Sequence, residues 1–106
     1  MYDARSTQSE KKHARTLFDL ALERELGEYL AEFKKRAANA KTAEDMWSIR
    51  DYLEKIGREV DQKYDYRYSQ LLIVFGRLLR ERRVTEDQLA FLSEEKLNYI
   101  KRVASL

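Results

Sequence analysis

TAEDMWSIRDYLEKIGREVDQKYDYRYSQLLIVFGRLLRER, residues 42 to 82, is the stretch on which the fold turns. It opens with Thr42 followed by Glu44 and Asp45, a hydroxyl and two carboxylates where a helix N-terminus favours them. Met46, Ile49, Leu53, Ile56 and Val60 then recur at steps of 3, 4, 3 and 4, a short heptad seam. Tyr64, Tyr68, Leu71, Leu72, Phe75, Leu78 and Leu79 prolong the apolar pattern, and Gly57 and Gly76 do not break its period. With no stop signal before Arg82, the pattern predicts one long helix over residues 42–82. At 1.5 Å per residue, residues 42–80 would span about 58 Å, against a radius of gyration of about 13 Å for a compact domain of this length. The expected protomer is elongated.

The remainder of the chain fits a helical reading. Its 106 residues include no proline and only three glycines, which removes the usual turn residues. Upstream, Thr7 and Glu10 have capping-box spacing, with residues 1–6 expected to fray. Ala14, Leu17, Phe18, Ala21, Leu22, Leu26, Tyr29, Leu30, Phe33 and Ala37 then make one stripe along a helix over 8–39. Downstream, Thr85 with Gln88, and then Ser93, start two short helices over 86–92 and 94–104, a small head within residues 85–106. The expected fold is all-α and a single domain, 1–106: a helical hairpin of two long helices plus the head. The first helix covers the start of the second on one side only, so a homodimer closing the stripe at Ile49, Leu53, Ile56 and Val60 is the economical solution.

Composition excludes several kinds of chemistry. With no cysteine there is no disulfide framework, thiolate nucleophile or cysteine-based zinc site. The single histidine, His13, excludes HExxH and paired-histidine centres, and Glu23, Glu25, Glu28 and Glu32 lack the Glu-x-x-His repeats of a di-iron bundle. No general base pairs with a nucleophile, so no catalytic residue, metal or cofactor is expected. No apolar run approaches the roughly 18 residues of a membrane span, and the polar N-terminal stretch lacks a signal peptide's apolar segment. A cytoplasmic protein without membrane insertion is expected. Arg77, Arg80, Arg82 and Arg83 cluster near one helix end, where cations offset the helix dipole. With a net charge of only +2 they do not make a nucleic-acid field.

Two constellations remain. Trp47 and Asp51 are four residues apart on one helix face, with Arg50, Glu54 and Arg58 alongside. The plain reading is a solvated ladder of ion pairs; the sharper one is a protein-binding hot spot, for which tryptophan and arginine are the enriched residues. The segment from Glu59 to Tyr68 sets Tyr64, Tyr66 and Tyr68 around the helix, so at least one hydroxyl must find a polar partner.

Taken together, Trp47-x-x-x-Asp51-Tyr52-Leu53, Glu59-x-Asp61-x-Lys63-Tyr64-Asp65-Tyr66-Arg67, Val74-Phe75 and Phe91-Leu92-x-x-x-Lys96 resemble the fluorescence recovery proteins of cyanobacteria. The resemblance covers residues 16–106. It implies an all-α dimer that binds photoactivated orange carotenoid protein, helps detach it from the phycobilisome and speeds its return to the orange form, restoring antenna fluorescence. It also implies that Trp47 and Asp51 contact the partner, that no pigment or other cofactor is carried, and that any association with thylakoids is peripheral, through the partner. Three positions depart from the family pattern: a family arginine falls on Gly57, with Arg58 rotated about 100° around the helix; a polar residue, often histidine, falls on Arg50; and an aromatic falls on Ile73. These departures motivate a second reading, a dimeric helical adaptor of the same fold with another protein partner.

Overall fold

The computed structural model describes residues 7–106, so the expectation for residues 1–6 lies outside the described residues. Four α-helices follow one another: α1 (Gln8–Asn39), α2 (Ala43–Lys63), α3 (Leu71–Arg80) and α4 (Glu94–Ala104). Three of the four starts have a side-chain cap, and α3 has none. The Glu10 amide donates to Thr7 Oγ1 at 3.0 Å before α1. Thr42 and Asp45 cap each other reciprocally before α2. Ser93 accepts from the Lys96 amide before α4.

The long second helix expected over residues 42–82 is interrupted. Helix α2 ends at Lys63, residues 64–67 leave the helix, and a 3₁₀ turn at Tyr68–Gln70 leads into α3. No proline or glycine stands there. Side-chain contacts stop the helix instead. Tyr64, at φ −95° and ψ 68°, donates its hydroxyl to buried Glu25 at 2.6 Å. Asp65 Oδ1 accepts from the Arg67 amide at 3.0 Å, an Asx turn that competes with helical hydrogen bonding. Asp65 also grips the Arg67 guanidinium, with Nη2 to Oδ2 at 2.6 Å.

The helix expected over 86–92 is also corrected. Thr85 and Gln88 do cap each other, at 2.9 and 3.1 Å, but the amides that follow close short turns rather than a continuing helix. Leu89, with no solvent exposure, is drawn into the core at this point. Helix α3 ends within the cluster of arginines, after Arg80: the Arg83 amide reaches Leu78 O and the Arg82 amide reaches Leu79 O, a Schellman closure. It places Arg82 at φ 62°, a position glycine usually fills.

The chain divides into two compact units, residues up to Ala21 with Asp65–Leu106, and Leu22–Tyr64; α1 contributes to both. The first unit holds the apolar core. Phe75, Leu78, Leu89 and Ile100 are fully buried, with Leu17, Phe18, Val74 and Val84 nearly so. Helices α3 and α4 approach closely at Gly76, where an added Cβ would stand 3.2 Å from Ile100 O and overlap Val103. The Tyr66 ring meets Phe18 edge to face at 4.7 Å and lies under the Arg15 guanidinium at 4.5 Å. No helix among the described residues is long and apolar enough to cross a membrane.

Candidate protein-interaction site

In the unit formed by Leu22–Tyr64, α2 carries the residues singled out from sequence. Its first turns follow directly from the Thr42–Asp45 capping box: Asp45 Oδ2 accepts the Lys41 and Thr42 amides at 2.8 and 3.2 Å. Those two backbone hydrogen bonds hold the Asp45 carboxyl below the usual carboxylate range. The start of the helix is therefore fixed, and with it the direction in which the next turn projects.

That turn presents Trp47, 52% exposed although it is the sole tryptophan. Arg50 lies over its ring, with the guanidinium carbon 5.4 Å from the ring centroid. The same guanidinium donates from Nε and Nη2 to Asp51 Oδ1 at 3.1 and 3.0 Å. The ladder expected from Arg50 to Glu54 gives way to this pairing with the adjacent residue. Indole, guanidinium and carboxylate form one connected, solvent-facing group.

About 80° of helical rotation contains the expected seam. Ile49, Ile56 and Val60 are half-buried, Leu53 is exposed, and Met46 beside them is 53% exposed. On α1, within the same unit, Leu26 and Leu30 are also exposed, one turn apart. Much of this unit's apolar surface is thus uncovered or only partly covered by its own chain. Gly57 stands at the edge of this arc, and a Cβ placed there would meet no atom within 4 Å, so the protein's own atoms leave space for a side chain.

The buried heart of this unit is ionic, and local spacing announces only one of its contacts. Glu25, only 2% exposed, accepts from Lys63 Nζ at 2.7 Å and Tyr64 Oη at 2.6 Å through Oε1, and from Tyr29 Oη at 2.7 Å through Oε2. Burial by itself would raise the Glu25 carboxyl. The hydrogen bonds from Lys63, Tyr64 and Tyr29, with the charge of Lys63, outweigh it and hold the carboxyl below its ordinary value. Tyr29 at four residues from Glu25 was a legible signal. The partners 38 and 39 residues away were not, although one of the Tyr64–Tyr68 hydroxyls was expected to need a polar partner. Near the other wall of the unit, Arg36 covers the Tyr52 ring at 4.0 Å and pairs with Glu32 at 2.8 Å.

The first unit contains a cavity of about 710 Å³, lined chiefly by Tyr66, Tyr68, Leu72, Phe75 and Tyr99, with Ile73 also on its wall. Lys96 Nζ bonds Glu10 Oε1 at 2.8 Å beside it. None of these groups makes a nucleophile-and-base pair. Among the described residues no three His, Cys, Asp or Glu side chains are grouped to hold a metal ion.

Comparison with known proteins shows the family. Residues 6–104 match the family described as photoprotection regulator fluorescence recovery protein. The chain is 37% identical over 100 residues to the fluorescence recovery protein of Synechocystis sp. PCC 6803, covering 94% of this chain and 92% of that one. The solved Synechocystis structure superposes with a TM-score of 0.90 over 95% of this chain and 99% of the other, at 37% identity. The Fremyella diplosiphon structure gives a TM-score of 0.88 at 30% identity, over 94% and 98% of the two chains. An all-α chain with an exposed tryptophan-centred face and no catalytic constellation among its described residues thus belongs to the fluorescence recovery protein family, a family of photoprotection regulators.

Proposed function

We propose that this protein acts, without catalysing bond chemistry and without a cofactor, by binding photoactivated orange carotenoid protein and accelerating its return to the orange form. The observation that carries the reading is the solvent-facing group of Trp47, Arg50 and Asp51 on α2, in a chain of the fluorescence recovery family. A binding protein speeds a conformational reversion when it holds the path back to the resting state more tightly than it holds the activated state. Trp47 and Asp51 supply that contact energy. The protein works in the cytoplasm and reaches thylakoids only through its partner.

The working form is a homodimer, with the whole chain acting as one domain. Ile49, Leu53, Ile56 and Val60 form its seam, which is supported by the uncovered apolar arc of α2. A second copy covers that arc with the same surface. Replacing Leu53 with glutamate places a carboxylate in the seam, where an unpaired charge is strongly unfavourable. The variant is expected to run at half the parent's molar mass in light scattering, with its helical content retained.

The deciding experiment is the dark relaxation of photoactivated orange carotenoid protein from red to orange, with and without a stoichiometric amount of this chain. Acceleration is expected, with loss of it in Trp47→Ala and Asp51→Leu at unchanged helicity. No acceleration by a folded, dimeric sample would overturn the reading. Gly57→Arg then tests the departure from the family pattern: a Cβ there meets no atom of the chain within 4 Å, so a change in rate at unchanged molar mass reports on the partner.

A further inference from the structure

We infer that Arg50 is a positioning residue for partner recognition: it pre-sets the Trp47 indole and the Asp51 carboxylate in one geometry before any partner arrives. The inference rests on the reading of this face as the contact with the partner. Arg50 touches both groups at once, its guanidinium over the indole with carbon to centroid at 5.4 Å and its Nε and Nη2 on a single oxygen of Asp51.

The pairing contributes little to folding. The Arg50 and Asp51 side chains are 58% and 66% exposed, and ion pairs in that setting are screened by water. Its consequence lies in binding. An exposed tryptophan, an arginine and an aspartate would each lose rotamer freedom when a partner immobilises them, and that loss subtracts from affinity. Contact with Arg50 restricts all three side chains in the free protein, so less remains to be lost. Nη1 of Arg50 and Oδ2 of Asp51 make no contact among the described residues. One donor and one acceptor therefore stay available beside the indole, a combination that fits a partner's peptide group or side-chain amide next to an apolar residue.

Lysine cannot replace this. Its ammonium carries the charge but lacks the planar face that stacks on indole and the fork that grips a carboxylate while leaving a further N–H free. Arginine at this place is specific in geometry as well as in sign.

The test uses the sole tryptophan of the 106-residue chain as its own probe. Time-resolved anisotropy of Trp47 is measured in the parent, Arg50→Ala and Arg50→Lys, and each is titrated into photoactivated orange carotenoid protein while relaxation is followed. Arg50→Ala is expected to enlarge the fast, local component of the indole decay and to shift the half-maximal concentration upward several-fold, with the rate at saturation unchanged. Arg50→Lys should fall between Arg50→Ala and the parent in both readouts. Unchanged anisotropy in Arg50→Ala overturns the inference, as does a looser indole with no shift in half-maximal concentration. Trp47→Ala is run in parallel to separate the two claims. If it remains fully active, the face itself is misassigned; if it fails while Arg50→Ala behaves as the parent, only the role of Arg50 is wrong.

Discussion

The interiors of the two units, each taken by itself, differ in chemistry. Among the described residues, all the buried apolar side chains, from Ala14 to Ile100, belong to the unit made of the N-terminal part of α1 with residues 65–106. In the unit of residues 22–64 the buried side chains are Glu25 and Lys63, while Leu26, Leu30, Met46, Trp47 and Leu53 remain exposed. Apolar burial is the main driving force of folding, at about 25 cal/mol per Å², so the first unit has its stabilisation inside. The second keeps much of its apolar surface on offer and relies on a buried ion pair for its internal geometry. A buried pair is a weak source of net stability but fixes one arrangement, because removing either partner leaves an unpaired charge. Residues 22–64 thus leave large apolar side chains exposed, whereas the first unit buries most of its own.

Substitutions on either side put this contrast at risk. The largest expected effect is Phe75→Ala in the apolar core, a loss of about 3–5 kcal/mol from lost transfer energy and the cavity left behind; urea unfolding would show it. Glu25→Leu should cost a similar or slightly smaller amount, about 3 kcal/mol, by stranding Lys63. Adding Lys63→Met should recover most of that loss, whereas no second substitution refills the space of Phe75 so simply. If Glu25→Leu alone is harmless, the ionic heart does not organise its unit.

The same pair predicts a pH dependence. The Glu25 carboxyl in the folded protein lies below its unfolded value. Its stabilisation is therefore complete above the unfolded pKa of about 4.3, and is lost as pH falls through the lower folded value. Glu25→Gln should flatten the acid limb of the stability profile, measured by thermal melts from neutral pH downward.

Glycine substitutions test the difference in packing through their sign. Gly76→Ala forces a Cβ into Val103 and the Ile100 carbonyl, and should cost about 1–3 kcal/mol. Gly57→Ala and Gly27→Ala meet nothing within 4 Å and should gain up to about 1 kcal/mol of helix propensity each. Equal signs at all three would mean that the packing difference between the units is not as described. Comparable in size is Thr42→Ala, a loss of about 1 kcal/mol at the N-cap of α2, visible as fraying of residues 43–46 in hydrogen exchange.

Local rules made much of this molecule legible. The absence of proline, the 3-and-4 spacing and the caps at Thr7, Thr42 and Ser93 were enough for an all-α chain and three of its four helix starts. Trp47 and Asp51 could be placed on one face because four residues make slightly more than one helical turn. The sequence also supplied every side chain that ends α2, but not the ending itself: the Asx turn open to Asp65 is a weak local signal within an apolar pattern that continues on either side. That break depends on Glu25, 38 residues before Lys63, accepting from Lys63 and Tyr64, and on Asp65 accepting from the Arg67 amide. The capping box at Thr85 formed without a helix to follow, because burial of Leu89 outweighed propensity over so short a segment. Arg50 pairing with Asp51 rather than Glu54 was likewise a choice between two carboxylates in reach. Periodicity and capping act between neighbours and can be read from order alone. Where the helix stops depends also on Glu25, which only the folded chain brings to Lys63 and Tyr64.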